Sequence, residues 1–346
     1  MRNRTRLTLL TAVAVVCVGA AVAYVGISLG SEPSDKASGT RVVGPATLGT
    51  GAAPIRTTDA SSIDSGDLLF VSMIPDRSAG SLAVASLSDL AGARAIAGLR
   101  CERASYAGGR GICLVRLGGE EAESEVEIFD SKFHVSRRFE VEGAPSRARV
   151  SPDGRYAAIT MFEASEEEEG SSEGPYTETT IVDLENGKEV ADLEKLSLTK
   201  DGKPFPRDDL HISAVTFADD DDHFFASLGS AEATSYLLEG SLRDRKLNVI
   251  AKGVDSPSLS PDGTHIAFRR LVGGDGNWRL FVMDLRTKKA IRLAGDDPID
   301  DQAEWLDDAR VVYVNDNKLW VVAADGNGRP RELLSYVYSP TVIPAS

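Results

Sequence analysis

A serine set between glycines is the first place to look for covalent chemistry, and Gly170-Ser171-Ser172-Glu173-Gly174 matches the G-x-S-x-G pattern. That pattern works when a strand turns sharply into a helix and a histidine partners the serine. Here it lies inside EEEEGSSEGP, an acidic loop, and reads as solvated surface rather than a nucleophile. The four histidines (His134, His211, His223, His265) are dispersed, with no H-E-x-x-H and no i, i+4 pair to hold a metal. His265 falls in an apolar strand and reads as structural.

Carboxylates are the more abundant resource. Glu166 to Glu169 form a loop cluster and Asp219 to Asp222 occupy a turn; neither has the alternating oxygen spacing of an EF-hand. Two further segments read as a binding surface. One is DDPIDDQ, with Asp296, Asp297, Asp300 and Asp301; the other is PRDDLH, with Asp208, Asp209 and His211. No catalytic residue, metal site or cofactor is assigned. Lys and Arg number 38 against 53 Asp and Glu, a net charge of −15. Such a body repels phosphate backbones, which excludes nucleic acid as a partner.

The elements that must position these residues repeat. Ser151-Pro152-Asp153-Gly154 is followed by RYAAITM, and Ser260-Pro261-Asp262-Gly263 by THIAFRRL. Weaker copies begin at Tyr106, Phe217 and Trp305. Each leads to a third strand, such as EVEIFD from Glu125 or WRLFVMDL from Trp278, and then to a hairpin and a short fourth strand. Alternating apolar residues with β-branched enrichment mark strands, not helices. Proline presets the first turn position, aspartate bonds its own backbone, and glycine accepts positive φ, so S-P-D-G makes a tight hairpin. Tyr106 to Ser151 is 45 residues and Ser260 to Leu306 is 46, close to the ~40–45 of a four-stranded propeller blade. Trp278, Trp305 and Trp320 read as packing between blades.

The SPDG turns, each with an apolar strand and an x-D-L strand after it, resemble the TolB-like (WD40-like) β-propeller repeat. The resemblance spans roughly Gly66 to Ile343 and implies an all-β, six-bladed propeller. It further implies a protein-binding role in the bacterial envelope. DLLFVSM from Asp67 reads as a second strand with no first strand before it, and VYSPTVIP from Val337 as a first strand with no blade after it. The two are expected to pair and close the ring.

Ahead of the repeats, Leu7 to Leu29 is an uncharged apolar run of 23 residues, ~34 Å as a helix, enough to span a ~30 Å hydrocarbon layer. Arg2, Arg4 and Arg6 hold its start in the cytoplasm. Residues 1–29 are therefore expected to be a signal anchor, with a signal peptide cut after Ala21-Val22-Ala23, giving a secreted protein, as the alternative. Of residues 30–65, 24 are Gly, Ser, Thr, Ala or Pro, which reads as a disordered linker to a propeller over 66–346. Cys17 lies in the apolar run. Cys101 and Cys113 then fall on the first two strands of one blade and are expected to form a disulfide in an oxidising compartment.

The expected function is a non-enzymatic, membrane-anchored scaffold for an envelope protein or basic peptide. DDPIDDQ, PRDDLH and Glu166 to Glu169 would form an acidic rim on one face of the ring, the turns on the other face being mixed in charge. The alternatives are a propeller glycosidase or lyase, whose carboxyl pair must stand about 5–9.5 Å apart, and a sugar or cation sensor.

Overall fold

The computed structural model describes residues 55–118, 123–163, 176–206, 210–230, 234–273, 276–295, 299 and 301–345. Expectations for the anchor, for Glu166 to Glu169, and for Asp208, Asp209, Asp296, Asp297 and Asp300 lie outside these residues, as does Gly170 to Gly174. No helix of the described residues is long and apolar enough to cross a membrane.

The described chain is built of strands. Blade 1 holds β1 (Thr57–Asp59), β2 (Asp67–Ser72), β3 (Ser81–Ser86) and β4 (Arg94–Arg100). Blade 2 holds β5 (Arg103–Ala107), β6 (Arg110–Arg116), β7 (Glu123–Asp130) and β8 (Val135–Glu142). Blade 3 holds β9 (Ala144–Val150), β10 (Tyr156–Glu163), β11 (Tyr176–Asp183) and β12 (Lys188–Asp192). The hairpin β13 (Ser197–Lys200) and β14 (Lys203–Pro204) precedes blade 4, which holds β15 (Leu210–Phe217), β16 (His223–Ser230), β17 (Ser235–Ser241) and β18 (Lys246–Lys252). Blade 5 holds β19 (Asp255–Leu259), β20 (His265–Leu271), β21 (Trp278–Asp284) and β22 (Ala290–Arg292). Blade 6 holds β23 (Glu304–Asp307), β24 (Arg310–Asn315), β25 (Lys318–Ala323) and β26 (Arg331–Ser335), and β27 (Val337–Val342) ends the chain's strands.

Apart from β1, consecutive strands within each blade pair antiparallel. The innermost strands form a ring: β5 lies against β9, β9 against β15, β15 against β19, β19 against β23, β23 against β27, and β27 against β5. Closure comes from β27, which pairs antiparallel with β2 (Leu68 opposite Val342, Ser72 opposite Val337) and supplies the inner strand that blade 1 lacks. This removes the edges an open ring would expose.

Six hydrophobic clusters, one between each pair of neighbouring blades, hold the ring. Strand β2 shows how. Leu68 and Phe70 pack with Val312 and Leu319 of blade 6, while Leu69 and Val71 face Ala104 and Cys113 of blade 2. Because side chains alternate across a strand and both faces are covered, the sequence there is continuously apolar. Trp305 is buried and donates from Nε1 to the Ser258 carbonyl of blade 5 at 2.9 Å.

One boundary moves. The stretch read as linker up to residue 65 already contributes structure, because β1 pairs parallel with β4 (Thr57 opposite Arg94) and Ile63 is buried between blades 1 and 2. Three residues carry no readable period, and what recruits them is the free outer edge of β4. Blade 4 gains a parallel outer strand in the same way, from β13 on β18.

Candidate functional site

The inner strands bring charge into the central channel. Arg103 of β5 donates from Nη1 to Asp301 Oδ2 at 2.6 Å, and Arg147 of β9 stands with Nε 3.0 Å from Asp301 Oδ1. Arg149, two residues along β9, bonds Glu304 of β23. Arg269 of β20 reaches Asp255 of β19 at 3.2 Å, and the Arg103 guanidinium lies 4.3 Å over the Tyr338 ring. Gln302 ties in further blades, donating from Nε2 to the Pro257 carbonyl at 2.5 Å. Four arginines therefore meet three carboxylates in the middle of a strongly acidic protein.

Burial pushes the Asp301 carboxyl up, but Arg147 and Arg103, with the Gln302 N–H, pull it further down, and it sits below the usual range. Glu304 goes the other way. Burial raises it, Arg149 opposes that only in part, and the Asp301 charge adds to the rise. The two carboxyls are thus held differently by one cluster.

Bulges shape the channel wall. Ala214, Ser256 and Ser339 adopt φ of +52°, +50° and +46°, each where the register of an inner strand shifts. Hydroxyls beside them stitch neighbouring blades: Val150 N donates to Ser105 Oγ at 3.0 Å, Leu259 N to Thr216 Oγ1 at 3.1 Å, and Ala104 N to Ser339 Oγ at 3.2 Å.

Below the arginine cluster the channel opens into a mouth of about 600 Å³ to which all six blades contribute, with Arg149 and Glu304 among its lining residues. Its rim is made by the turns between first and second strands. In both SPDG turns the serine hydroxyl bonds the aspartate (Ser151 Oγ to Asp153 Oδ1 at 2.6 Å, Ser260 Oγ to Asp262 Oδ1 at 2.5 Å). The glycine N–H closes on the serine carbonyl at 2.8 Å in each, with φ of +74° at Gly154 and +71° at Gly263. Neighbouring turns pack tightly: a Cβ on Gly108 would stand 2.1 Å from the Asp153 carbonyl carbon.

The site residues expected from sequence fare unequally. Asp301 is only 6 % exposed and fully engaged by arginines, so it presents no charge to an acidic rim. Its partners lie far away in sequence; Arg103 is 198 residues distant. His211 lies half-buried on β15, opposite Gly229, in the inner strand of a different blade from the one Asp301 precedes. The opposite face is not simply mixed in charge either. Its first turns carry Asp153, Asp219, Asp221, Asp262 and Asp308, and the hydrogen bond of Asp221 to the Asp153 carboxyl raises Asp221 above an ordinary aspartate. Cys101 and Cys113 are joined in a disulfide, Cys101 standing just ahead of β5.

No family model matches the chain. Among solved structures, TolB from Acinetobacter baumannii is similar with a TM-score of 0.53 at 16% identity, over 81% of this chain and 67% of that one. The chain has a TolB-like six-bladed propeller fold. A putative TolB from Agrobacterium tumefaciens is similar at 14% identity, over 78% of this chain and 88% of that one, with a TM-score of 0.47. The tricorn protease shares 12% identity over 82% of this chain and 34% of its own length, with a TM-score of 0.48. In this TolB-like propeller the channel arginines were the part that motif reading passed over. The signal was present in Ser146-Arg147-Ala148-Arg149-Val150, where arginines alternate along an inner strand that should otherwise be apolar or small.

Proposed function

We propose that this propeller is a protein- or peptide-binding scaffold of the bacterial envelope, held outside the cytoplasmic membrane by the apolar run Leu7 to Leu29. The observation that carries the scaffold reading is the state of the channel carboxylates. Asp301 is bound by two arginines and Glu304 by one, so both carboxylates are spent tying inner strands of different blades together. The channel offers a recess instead. A mouth of about 600 Å³ takes side chains or a short loop of a partner, and its aspartate rim favours a basic one, more so at low ionic strength.

An extracytoplasmic setting is supported by the Cys101–Cys113 disulfide, a bond that persists in oxidising compartments. The arginines ahead of the apolar run support the same orientation.

The test is photo-cross-linking in the native cells, with the cross-linker placed at Asp219 or His223 on the mouth and at Asp59 on the outer edge of blade 1. Discrete adducts from the mouth positions, fading as salt rises, are expected. Adducts of equal yield from all three positions, or none from the mouth, would sink this reading.

A further inference from the structure

Between blades 2 and 3 a groove of about 350 Å³ runs beside β8. Ile159, Met161 and Val182 line it from blade 3, and Phe139 and Val141 from β8. Glu189 of β12 is exposed at the groove's blade 3 side, and Glu140 and Glu142, also exposed, alternate with Phe139 and Val141 along β8 and so stand on the strand's other face. None of the three is in an ion pair with another described residue. The basic residues of β8 are committed elsewhere. Arg138 bonds Glu127 on its own blade at 2.7 Å, and Arg137 reaches the Glu185 carbonyl at 3.4 Å, lying over Gly187 at one end of the groove. What remains is an apolar floor on one face of β8 and the Glu140 and Glu142 carboxylates on the other.

The backbone points to the same use. β8 is eight residues long, and among the described residues nothing pairs with its outer edge. The equivalent edges of blades 1 and 4 do not stay open, since each carries an additional parallel strand from a flanking segment, β1 on β4 and β13 on β18. Outer edges of this propeller thus accept a fifth strand, and an unfilled one beside an apolar groove is a ready template.

We propose that this groove docks an extended segment of a partner protein with alternating basic and apolar residues, added parallel to β8 as a fifth strand. Its basic side chains would meet Glu140 and Glu142 on one face of the widened sheet, and its apolar ones would cover Met161 and Ile159 on the other. The proposal rests on the scaffold reading but uses a surface separate from the channel mouth.

The probe is a labelled eight-residue peptide of alternating lysine and valine, titrated by fluorescence anisotropy into the full chain. Glu140→Gln with Glu142→Gln should weaken binding about fivefold, as expected for loss of two exposed charge contacts. A charge-matched control, Asp89→Asn with Asp244→Asn, should change it less than about twofold. Methylating alternate backbone nitrogens on the edge that faces β8 should also weaken the peptide, because strand addition needs those donors. Equal loss in both double variants, or none in the groove variant, overturns the groove; indifference to methylation overturns strand addition. If Asp219→Asn abolishes binding while the groove variant does not, the peptide belongs to the mouth, and the scaffold reading survives without the groove. Loss of the mouth cross-links with groove binding intact has the opposite meaning.

Discussion

Glu194 sits in the short helical turn after β12 and accepts two backbone N–H groups, from Thr179 of blade 3 at 3.1 Å and from Ile212 of blade 4 at 3.2 Å. Burial raises its carboxyl from 4.5 to about 7, against those two hydrogen bonds, and the nearby Asp192 charge adds to the rise. A folded-state pKa above the unfolded one means the stabilisation is fully present below the unfolded value and is lost as pH climbs through about 7. The wild type should therefore lose on the order of 2–3 kcal/mol between pH 5 and 8 relative to Glu194→Gln. Paired melting curves across that range test it; a constant difference between the two proteins would refute the shift. Nothing in DLEKLSL announces such a carboxylate, because its environment is built by a strand that follows a further hairpin. Asp301 teaches the same lesson from the other side. Its charge was legible, and its neutralisation was not, since neither arginine is near it in the chain.

Turns were the most readable elements. S-P-D-G specified both a local hydrogen-bond set and the blade that follows, and the two copies fold alike, down to the serine–aspartate bond. What local chemistry does not reveal is how closely neighbouring turns approach. Gly108 and Gly109 both adopt positive φ, +54° and +84°, yet a Cβ at Gly108 would collide with the Asp153 backbone, while none within 4 Å opposes one at Gly109. Gly109→Ala should cost only the backbone preference, ~1 kcal/mol. Gly108→Ala must also push two blades apart and should cost several times that, read as the difference between their urea midpoints. Similar midpoints would mean that the turns do not bear on each other. Strand β1 is the converse case. TTD has neither length nor period, and only the free edge of β4 makes it a strand.

At the scale of the whole molecule the repeat length predicted six units, and six sheets form the ring. The closing strand was visible in advance because Val337, Ser339, Pro340 and Pro344 match Val254, Ser256, Pro257 and Pro261. Removing residues after Leu334 deletes β27, uncovers the inner edge of β2 and strips Tyr338 and Ser339 from the channel. The truncated protein should melt at a sharply lower temperature, and a melt matching the parent would show that the ring does not depend on this pairing. The acidic rim was harder to place. Charged turn residues were legible as exposed, but the first turns and the links between blades lie on opposite faces, so reading their charge required knowing which aspartates arginines had already claimed.

The pairing of β2 with β27 also sets an order of events in time. Leu68 is made long before Val342, so a strand pairing of very large sequence separation is the one that seals the ring. Until the final strand emerges, β2 carries an open edge between apolar faces, the kind of surface that makes a partly folded chain prone to aggregate. Contacts this remote slow folding because loop closure comes before any reward. Five blades can form while the sixth waits, and the nascent propeller stays vulnerable until β27 is free to pair.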